Sequence, residues 1–317
     1  MQIILGTMTF GGQVDEPGAA RLVERFRGRG HRQLDTAYVY NDGATEELLG
    51  RLREEGVIGG LPIAGKANPA EPGGLGPESL ARQLETSLER LGLDSLDLFY
   101  LHMPDLDTPI ERTLEAVAEH HAAGRFRRFG LSNYAAWQVA EIVGLCERHG
   151  WPRPSVYQGM YNALTRDVER ELLPCLARFG IAFYAYNPLA GGLLSGKYGS
   201  VDDLPADGRF AGNESYRARY WKDEYFEVIG RFADLARRHD IEPAAAALRW
   251  LVHHSALAGG PEGGEDEHGI ILGATSDAHL LANLDACEQG PLPDELVALL
   301  DEGWERVRPA CIKYFRP

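Results

Sequence analysis

Residues 96–105 read Leu96-Asp97-Leu98-Phe99-Tyr100-Leu101-His102-Met103-Pro104-Asp105. The run is short, carries apolar side chains on both faces and ends at a proline. That is the pattern of a strand buried on two sides in a parallel sheet, not of one lying on water. Its flanks are helical. Upstream, Leu80, Leu84, Leu88 and Leu91 recur at helical spacing over 77–91, with Glu78 near the start. Downstream, Asp107-Thr108-Pro109 offers an N-cap and a first-turn proline, and Gly124 offers a stop.

The unit repeats along the chain. Strand candidates lie at 3–7, 33–37, 62–67, 96–102, 129–133, 156–161, 181–186 and 270–274, with further helical patterns at 135–149, 168–179 and 277–287. Eight β–α alternations predict an α/β fold, a (β/α)8 TIM barrel, as a single domain over 1–317. A doubly wound sheet is the alternative, because periodicity does not count closure. Against it, Gly11-Gly12-Gln13 follows the first strand where such a sheet carries Gly-x-Gly-x-x-Gly. Two stretches exceed the repeat: 199–224, expected as a long loop after the seventh strand and a lid or binding segment, and the acidic Gly-rich run 255–268, expected to be poorly ordered.

Composition narrows the function. Asp and Glu number 47 against 32 Lys and Arg, for a formal charge of −15. A surface that negative repels phosphate backbones and anionic membranes, so neither nucleic acid nor a membrane is an expected partner. Cys146, Cys175, Cys287 and Cys311 are widely spaced with no CxxC pair, which fits free thiols in a reducing, cytoplasmic compartment. The start, Met-Gln-Ile-Ile-Leu-Gly-Thr, lacks the basic and apolar regions of a signal peptide. The pairs His120-His121 and His253-His254 are adjacent on helices, where side chains point apart, so no metal is expected.

Barrel enzymes carry their chemistry at the C-terminal ends of the strands. Those ends supply Asp35 and then Tyr40 after strand two, Lys66 in strand three and His102 at the end of strand four. An acid, a phenol, an amine and an imidazole on neighbouring strands form a proton-transfer set. Singly each has a plainer reading: Asp35 as a turn or cap, Tyr40 as a loop aromatic with Tyr38 competing for its role, His102 as structural. Lys66 is harder to dismiss, since an unpaired buried ammonium is costly. An ammonium about 4 Å from a phenol contributes roughly 4 kcal/mol at an effective dielectric of 20, up to about 3 pKa units before desolvation. Lys66 is therefore expected to make Tyr40 a usable general acid, with Asp35 pairing Lys66 and His102 donating to a carbonyl oxygen.

Several segments resemble the aldo-keto reductases nearly letter for letter. They are Leu34-Asp35-Thr36-Ala37-Tyr38-Val39-Tyr40, Gly65-Lys66-Ala67-Asn68-Pro69, the stretch 97–105, Gly130-Leu131-Ser132-Asn133-Tyr134, 156–162 and 184–194. The branch resembled is that of the aflatoxin-aldehyde and succinic semialdehyde reductases, and the likeness runs from residue 3 nearly to the end. It implies Asp35, Tyr40, Lys66 and His102 as a catalytic tetrad with Tyr40 as proton donor. It implies that Ser132, Asn133 and Gln158, with Asp35 beside them, hold a nicotinamide on which Tyr186 stacks. The pyrophosphate would lie along Asn187-Pro188-Leu189-Ala190-Gly191-Gly192-Leu193-Leu194-Ser195-Gly196-Lys197. Arg209 and Gly273-Ala274-Thr275-Ser276-Asp277-Ala278-His279-Leu280-Leu281 would complete the adenosine end. The expected cofactor is NADPH in preference to NADH, although Gly273 and His279 stand where many relatives carry cations for the 2′-phosphate. Tyr216, Arg219 and Arg316, with His102, match positions that hold substrate in this branch. Guanidinium groups bind carboxylates bidentately, so carboxyl-bearing aldehydes such as succinic semialdehyde or 2-carboxybenzaldehyde are the expected substrates.

Other functions compete. Gly191–Lys197 fits Gly-x4-Gly-Lys, but Tyr198 stands where a phosphate-binding loop has Ser or Thr, which argues against an ATPase. A cofactor-binding sensor or channel β-subunit would share fold and tetrad, and a Schiff-base lyase would use Lys66 alone. A homodimer is compatible with any of these.

Overall fold

The computed structural model describes residues 1–206, 208–259 and 266–316. Of the acidic run 255–268, residues 260–265 lie outside the described residues. Eight parallel strands close into a barrel in chain order: β1 (Gln2–Gly6), β2 (Gln33–Asp35), β3 (Ile63–Ala67), β4 (Leu96–Leu101), β5 (Phe126–Ser132), β6 (Pro154–Met160), β7 (Ala182–Tyr186) and β8 (Gly269–Gly273). β8 returns to β1 with Gly273 opposite Gly6, so the alternative of an open doubly wound sheet is excluded.

The strands are buried on both faces because each face has its own core. Ile4, Ala64, Leu98, Tyr100, Val156, Ala182, Tyr184 and Ile271 fill the barrel interior. The alternate positions, such as Leu5, Phe99, Leu101, Leu131 and Leu272, pack outward against the helices. With a side-chain period of two, Lys66 follows Ala64 onto the inner face. Gly130 is required there: a Cβ at that position would lie 2.5 Å from the Tyr100 ring. The N-terminal end of the barrel is closed by Arg128, which donates to Asp97 at 2.6 Å and Asp266 at 2.5 Å.

Helices follow the strands: α1 (Glu16–Gly28), α2 (Ala44–Glu54), α3 (Pro77–Leu91), α4 (Ile110–Ala122), α5 (Ala136–His149) and α6 (Leu172–Phe179). After β7 come α7 (Glu214–Tyr220), α8 (Asp223–Arg238) and α9 (Pro243–His253); after β8 come α10 (Asp277–Glu288) and α11 (Asp294–Val307). α3 buries Leu80, Leu84, Leu88 and Leu91, the stripe its sequence shows, starts on Pro77 and stops at left-handed Gly92. Among the described residues no helix is long and apolar enough to cross a membrane.

Three local expectations are corrected. Asp107 does not cap α4; the cap position is Pro109, and the Asp105 carboxylate instead accepts the backbone N–H groups of Leu75, Asp107 and Thr108. The helix expected over 168–179 begins only at Leu172, after a 3-10 turn at Asp167–Glu169. Pro174, with no N–H to donate, is tolerated only in a first turn, and a start at Leu172 puts it there. Residues 199–224 are not all loop. Asn213 caps α7 by accepting from Tyr216 N at 3.2 Å, and Tyr198, Phe210, Tyr220, Trp221 and Phe226 pack the segment down through their rings.

Candidate active site

Asp35 ends β2 and Lys66 lies in β3, both facing the barrel interior near its C-terminal mouth. They are 3% and 1% exposed. Charges so buried persist only if paired and hydrogen-bonded. Lys66 Nζ donates to Asp35 Oδ1 at 2.5 Å and to the Thr36 carbonyl at 2.7 Å, and lies 3.4 Å from Tyr40 Oη. Asp35 Oδ2 accepts from Gln158 Nε2 at 2.8 Å. Burial works against the Lys66 ammonium, but Asp35 and Tyr40 outweigh it and its pKa is raised.

Tyr40 opens a tight turn, Tyr40–Gly43, in which Asn41 and Asp42 take left-handed φ of 49° and 54°. The turn is anchored by Asn41 Nδ2, which donates to the carbonyls of Met8 and Phe10 and to Thr45 Oγ1 at 3.0, 2.9 and 3.0 Å. Gly43 follows at φ 95°, where a Cβ would also strike the Arg90 guanidinium at 2.5 Å. Arg90 covers the Tyr38 ring at 4.7 Å, donates to the Tyr38 carbonyl and pairs with the buried Glu46. Of the two competing tyrosines, the structure therefore occupies Tyr38 with Arg90 and gives Tyr40 to Lys66 and His102, whose ring meets it edge-on at 6.1 Å.

One expectation about this set is corrected. The Tyr40 pKa is raised, not lowered, because burial of the phenol outweighs the pull of Lys66. The phenol therefore keeps its proton through neutral pH. His102 is held at both ends of its backbone, N–H to the Ala67 carbonyl at 2.9 Å and carbonyl from Asn133 Nδ2 at 2.8 Å. Burial first, then the charges of Lys66 and Arg316, push its pKa down to about 3, so the ring is neutral.

The residues matched to nicotinamide binding stand at the next strand ends. Ser132 ends β5 opposite Gln158 on β6, and Asn133 follows at a left-handed φ of 64°. Tyr186, at the end of β7, donates from Oη to Asn133 Oδ1 at 2.8 Å. Asn187–Lys197 then forms a 3-10 turn over Ala190–Ser195. Ala190, Leu193 and Leu194 are buried in the core and anchor the turn. Gly192, in contrast, borders open space, and the buried Asn187 Nδ2 has no partner. An unpaired donor beside a glycine-rich turn with open space at Gly192 suits a pyrophosphate. A phosphate-binding loop of the hydrolase type would lead from its strand into a long helix; this one does not.

Arg209 lies over Gly273: a Cβ there would sit 3.6 Å from Arg209 Nη2. In the segment after β8, Ala274 and Leu280 are buried and Leu281 is half-buried. Thr275, Ser276, Ala278 and His279 are exposed, with Ser276 capping α10. Asp277 is engaged by Arg21 and Arg25 at 3.7 and 3.6 Å. The residues matched to substrate binding gather around one cavity, the Tyr216 ring lying 5.1 Å from the Arg219 guanidinium. Arg219 and Arg316 line a cavity of about 400 Å³ with Asn133, Met160 and Tyr186. Tyr216 is buried beside it and hydrogen-bonds Arg209 at 2.9 Å and Asn187 at 3.3 Å.

Sequence reading passed over Asn68, Gln83 and Arg90 as working residues. Gln83 carries the clearest signal: a buried polar side chain inside the leucine stripe of α3.

The pattern of the aldo/keto reductase family matches residues 2–305. Human aflatoxin B1 aldehyde reductase member 2 is 48% identical over 99% of this chain and 89% of its own length. Human aldo-keto reductase family 7 member A3 is 47% identical over 99% of this chain and 96% of its own. An aldo-keto reductase of Pseudocercospora fijiensis is 40% identical over 93% of this chain and its full length. With a closed barrel, four clustered titratable side chains at its mouth and a match of this extent, the chain is an oxidoreductase that belongs to the aldo/keto reductase family.

Proposed function

We propose that the chain reduces aldehydes bearing a carboxylate to the corresponding alcohols with NADPH, Tyr40 delivering the proton. The observation that carries this reading is the cluster of Asp35, Tyr40, Lys66 and His102, in which one ammonium touches both the carboxylate and the phenol. When bound, the dinucleotide supplies the hydride that reaches the carbonyl carbon. Ser132, Asn133, Gln158 and Tyr186 would hold its nicotinamide, the backbone of 187–197 its pyrophosphate, and Arg209 its 2′-phosphate.

The side chains account for the rest. The phenol of Tyr40 and Nε2–H of the neutral His102 both donate to the carbonyl oxygen, polarising it. As negative charge develops there, the Tyr40 proton moves to it, and Lys66, fixed by Asp35 and the Thr36 carbonyl, stabilises the phenolate left behind. A raised Tyr40 pKa ensures that the proton is present, and Lys66 lowers the cost of giving it up at the moment of transfer. Arg219 and Arg316 on the cavity wall suit the distal carboxylate. The four unpaired cysteines fit a reducing compartment such as the cytoplasm.

Incubation with succinic semialdehyde and NADPH deuterated on both faces of C4 tests the reaction. A single deuterium on the carbinol carbon, read by mass spectrometry, is expected. An alcohol with none would refute hydride transfer from the nicotinamide.

A further inference from the structure

A neutral imidazole donates from one nitrogen only, so the role given to His102 requires a device that decides which one. Asn68, the second residue after Lys66, is 6% exposed and places Nδ2 3.5 Å from His102 Nδ1. The orientation of its amide follows from its other contact. The Ala70 N–H, which can only donate, reaches the other side-chain atom at 2.9 Å; that atom is therefore the oxygen, and the NH2 faces the ring. The backbone is fixed as well. Gln83 on α3 accepts the Asn68 N–H at 2.8 Å and returns a bond from Nε2 to the Asn68 carbonyl at 3.1 Å, as a neighbouring strand would. Pro69 holds Asn68 in extended backbone.

We propose that Asn68 is a positioning residue that fixes His102 as the Nε2–H tautomer, with Gln83 clamping Asn68 in place. This rests on the reading of His102 as a donor to the substrate carbonyl. An NH2 at Nδ1 tolerates only a lone pair there, which leaves the ring proton on Nε2. The groups facing the ring from other elements agree: Lys66 from β3 and Arg316 from the C-terminal tail are cations, and Tyr40 after β2 is a neutral phenol. Burial and these two cations all disfavour a second proton on the ring. The amide thus sets which nitrogen holds the proton, and the two cations keep a second proton off.

Long-range 15N–1H correlation spectra of the His102 ring test this without turnover. The wild-type chain is expected to show Nε2 protonated and Nδ1 bare at neutral pH. In Asn68→Ala the ring should become a mixture of tautomers, and kcat/KM for an uncharged aldehyde should fall about 5- to 10-fold, the scale of one net hydrogen bond. Asn68→Asp keeps the acceptor for Ala70 but turns an anion to Nδ1. It should move the His102 titration up toward neutral pH and give kcat/KM an inflection there. A wild-type ring protonated on Nδ1 overturns the proposal; so does Asn68→Ala with Nε2 still the sole protonated nitrogen. If both variants fail to fold, the wild-type spectrum alone decides. Failure of the reductase reading would show differently, as the expected tautomer in a chain with no turnover.

Discussion

In the proposed reaction the Tyr40 phenol holds its proton until charge develops on the substrate oxygen, and two features of its surroundings suit that task. Burial keeps the proton on, while Lys66 at 3.4 Å stands ready for the phenolate. Tyr40→Phe should therefore cut kcat by ~10²–10⁴-fold, the usual share of a general acid, with NADPH affinity close to normal. Tyr38→Phe should cost little, because the Tyr38 ring packs under Arg90 and the Lys66 ammonium lies at Tyr40. Equal losses in the two variants, measured side by side, would remove Tyr40 from its role. A second expectation concerns pH. His102 gains a proton only below about 3, and Tyr40 loses its own only above its ordinary phenol range. With an uncharged substrate, kcat/KM should be flat from ~pH 5 to 9 and fall only on the alkaline side as Tyr40 deprotonates. An inflection near neutrality would place a different group in charge. That these four side chains would meet was legible from their place at or just after neighbouring strand ends. The direction of the Tyr40 shift was not: sequence names the neighbour, but desolvation depends on packing that only the closed barrel sets.

Two elements frame the cavity, α7 and the C-terminal tail, and each is tied down at a separate point. α7 is capped by Asn213 and pinned through Tyr216, whose ring lies between the guanidinium groups of Arg209 at 5.4 Å and Arg219 at 5.1 Å. The tail is held by Arg316 N to the Asn133 carbonyl at 3.0 Å, and by Tyr314 Oη, which accepts from Ala136 N at 3.0 Å. Arg219→Ala or Arg316→Ala should raise KM for 2-carboxybenzaldehyde about tenfold, with kcat largely kept and 4-nitrobenzaldehyde barely affected, since a remote charge contributes uniform binding. Equal changes for both substrates, or none, would return the arginines to the surface. Arg209→Ala should weaken NADPH by about 1.5–3 kcal/mol, the range for a hydrogen bond to a charged group, and leave NADH near its original affinity. Unaltered NADPH binding, followed by quenching of protein fluorescence, would show that another group takes the phosphate. α7 itself escaped the sequence because seven residues are too few for a helical period to stand out among Asp, Gly and Arg. The aromatic side chains that fasten it contact partners scattered from 198 to 226.

Taken whole, the molecule was readable where its pattern repeats and opaque where pairs meet across long separations. The barrel was legible because most of its strands are short and apolar on both faces and alternate with helical patterns, so the local readings agree. Gln83 with Asn68, or Arg90 with Glu46 and Tyr38, are contacts between elements, and no local spacing encodes them. Those contacts hold in place the side chains proposed to protonate a carbonyl oxygen. The most direct test is the steady-state rate of NADPH oxidation by the intact protein across a panel containing succinic semialdehyde, 2-carboxybenzaldehyde, 4-nitrobenzaldehyde and simple alkyl aldehydes, repeated with NADH. Turnover with NADPH, highest kcat/KM for the carboxylated aldehydes and a clear loss with NADH are predicted. NADPH that binds but is not oxidised by any aldehyde would contradict the account and leave a cofactor-binding protein on a reductase fold.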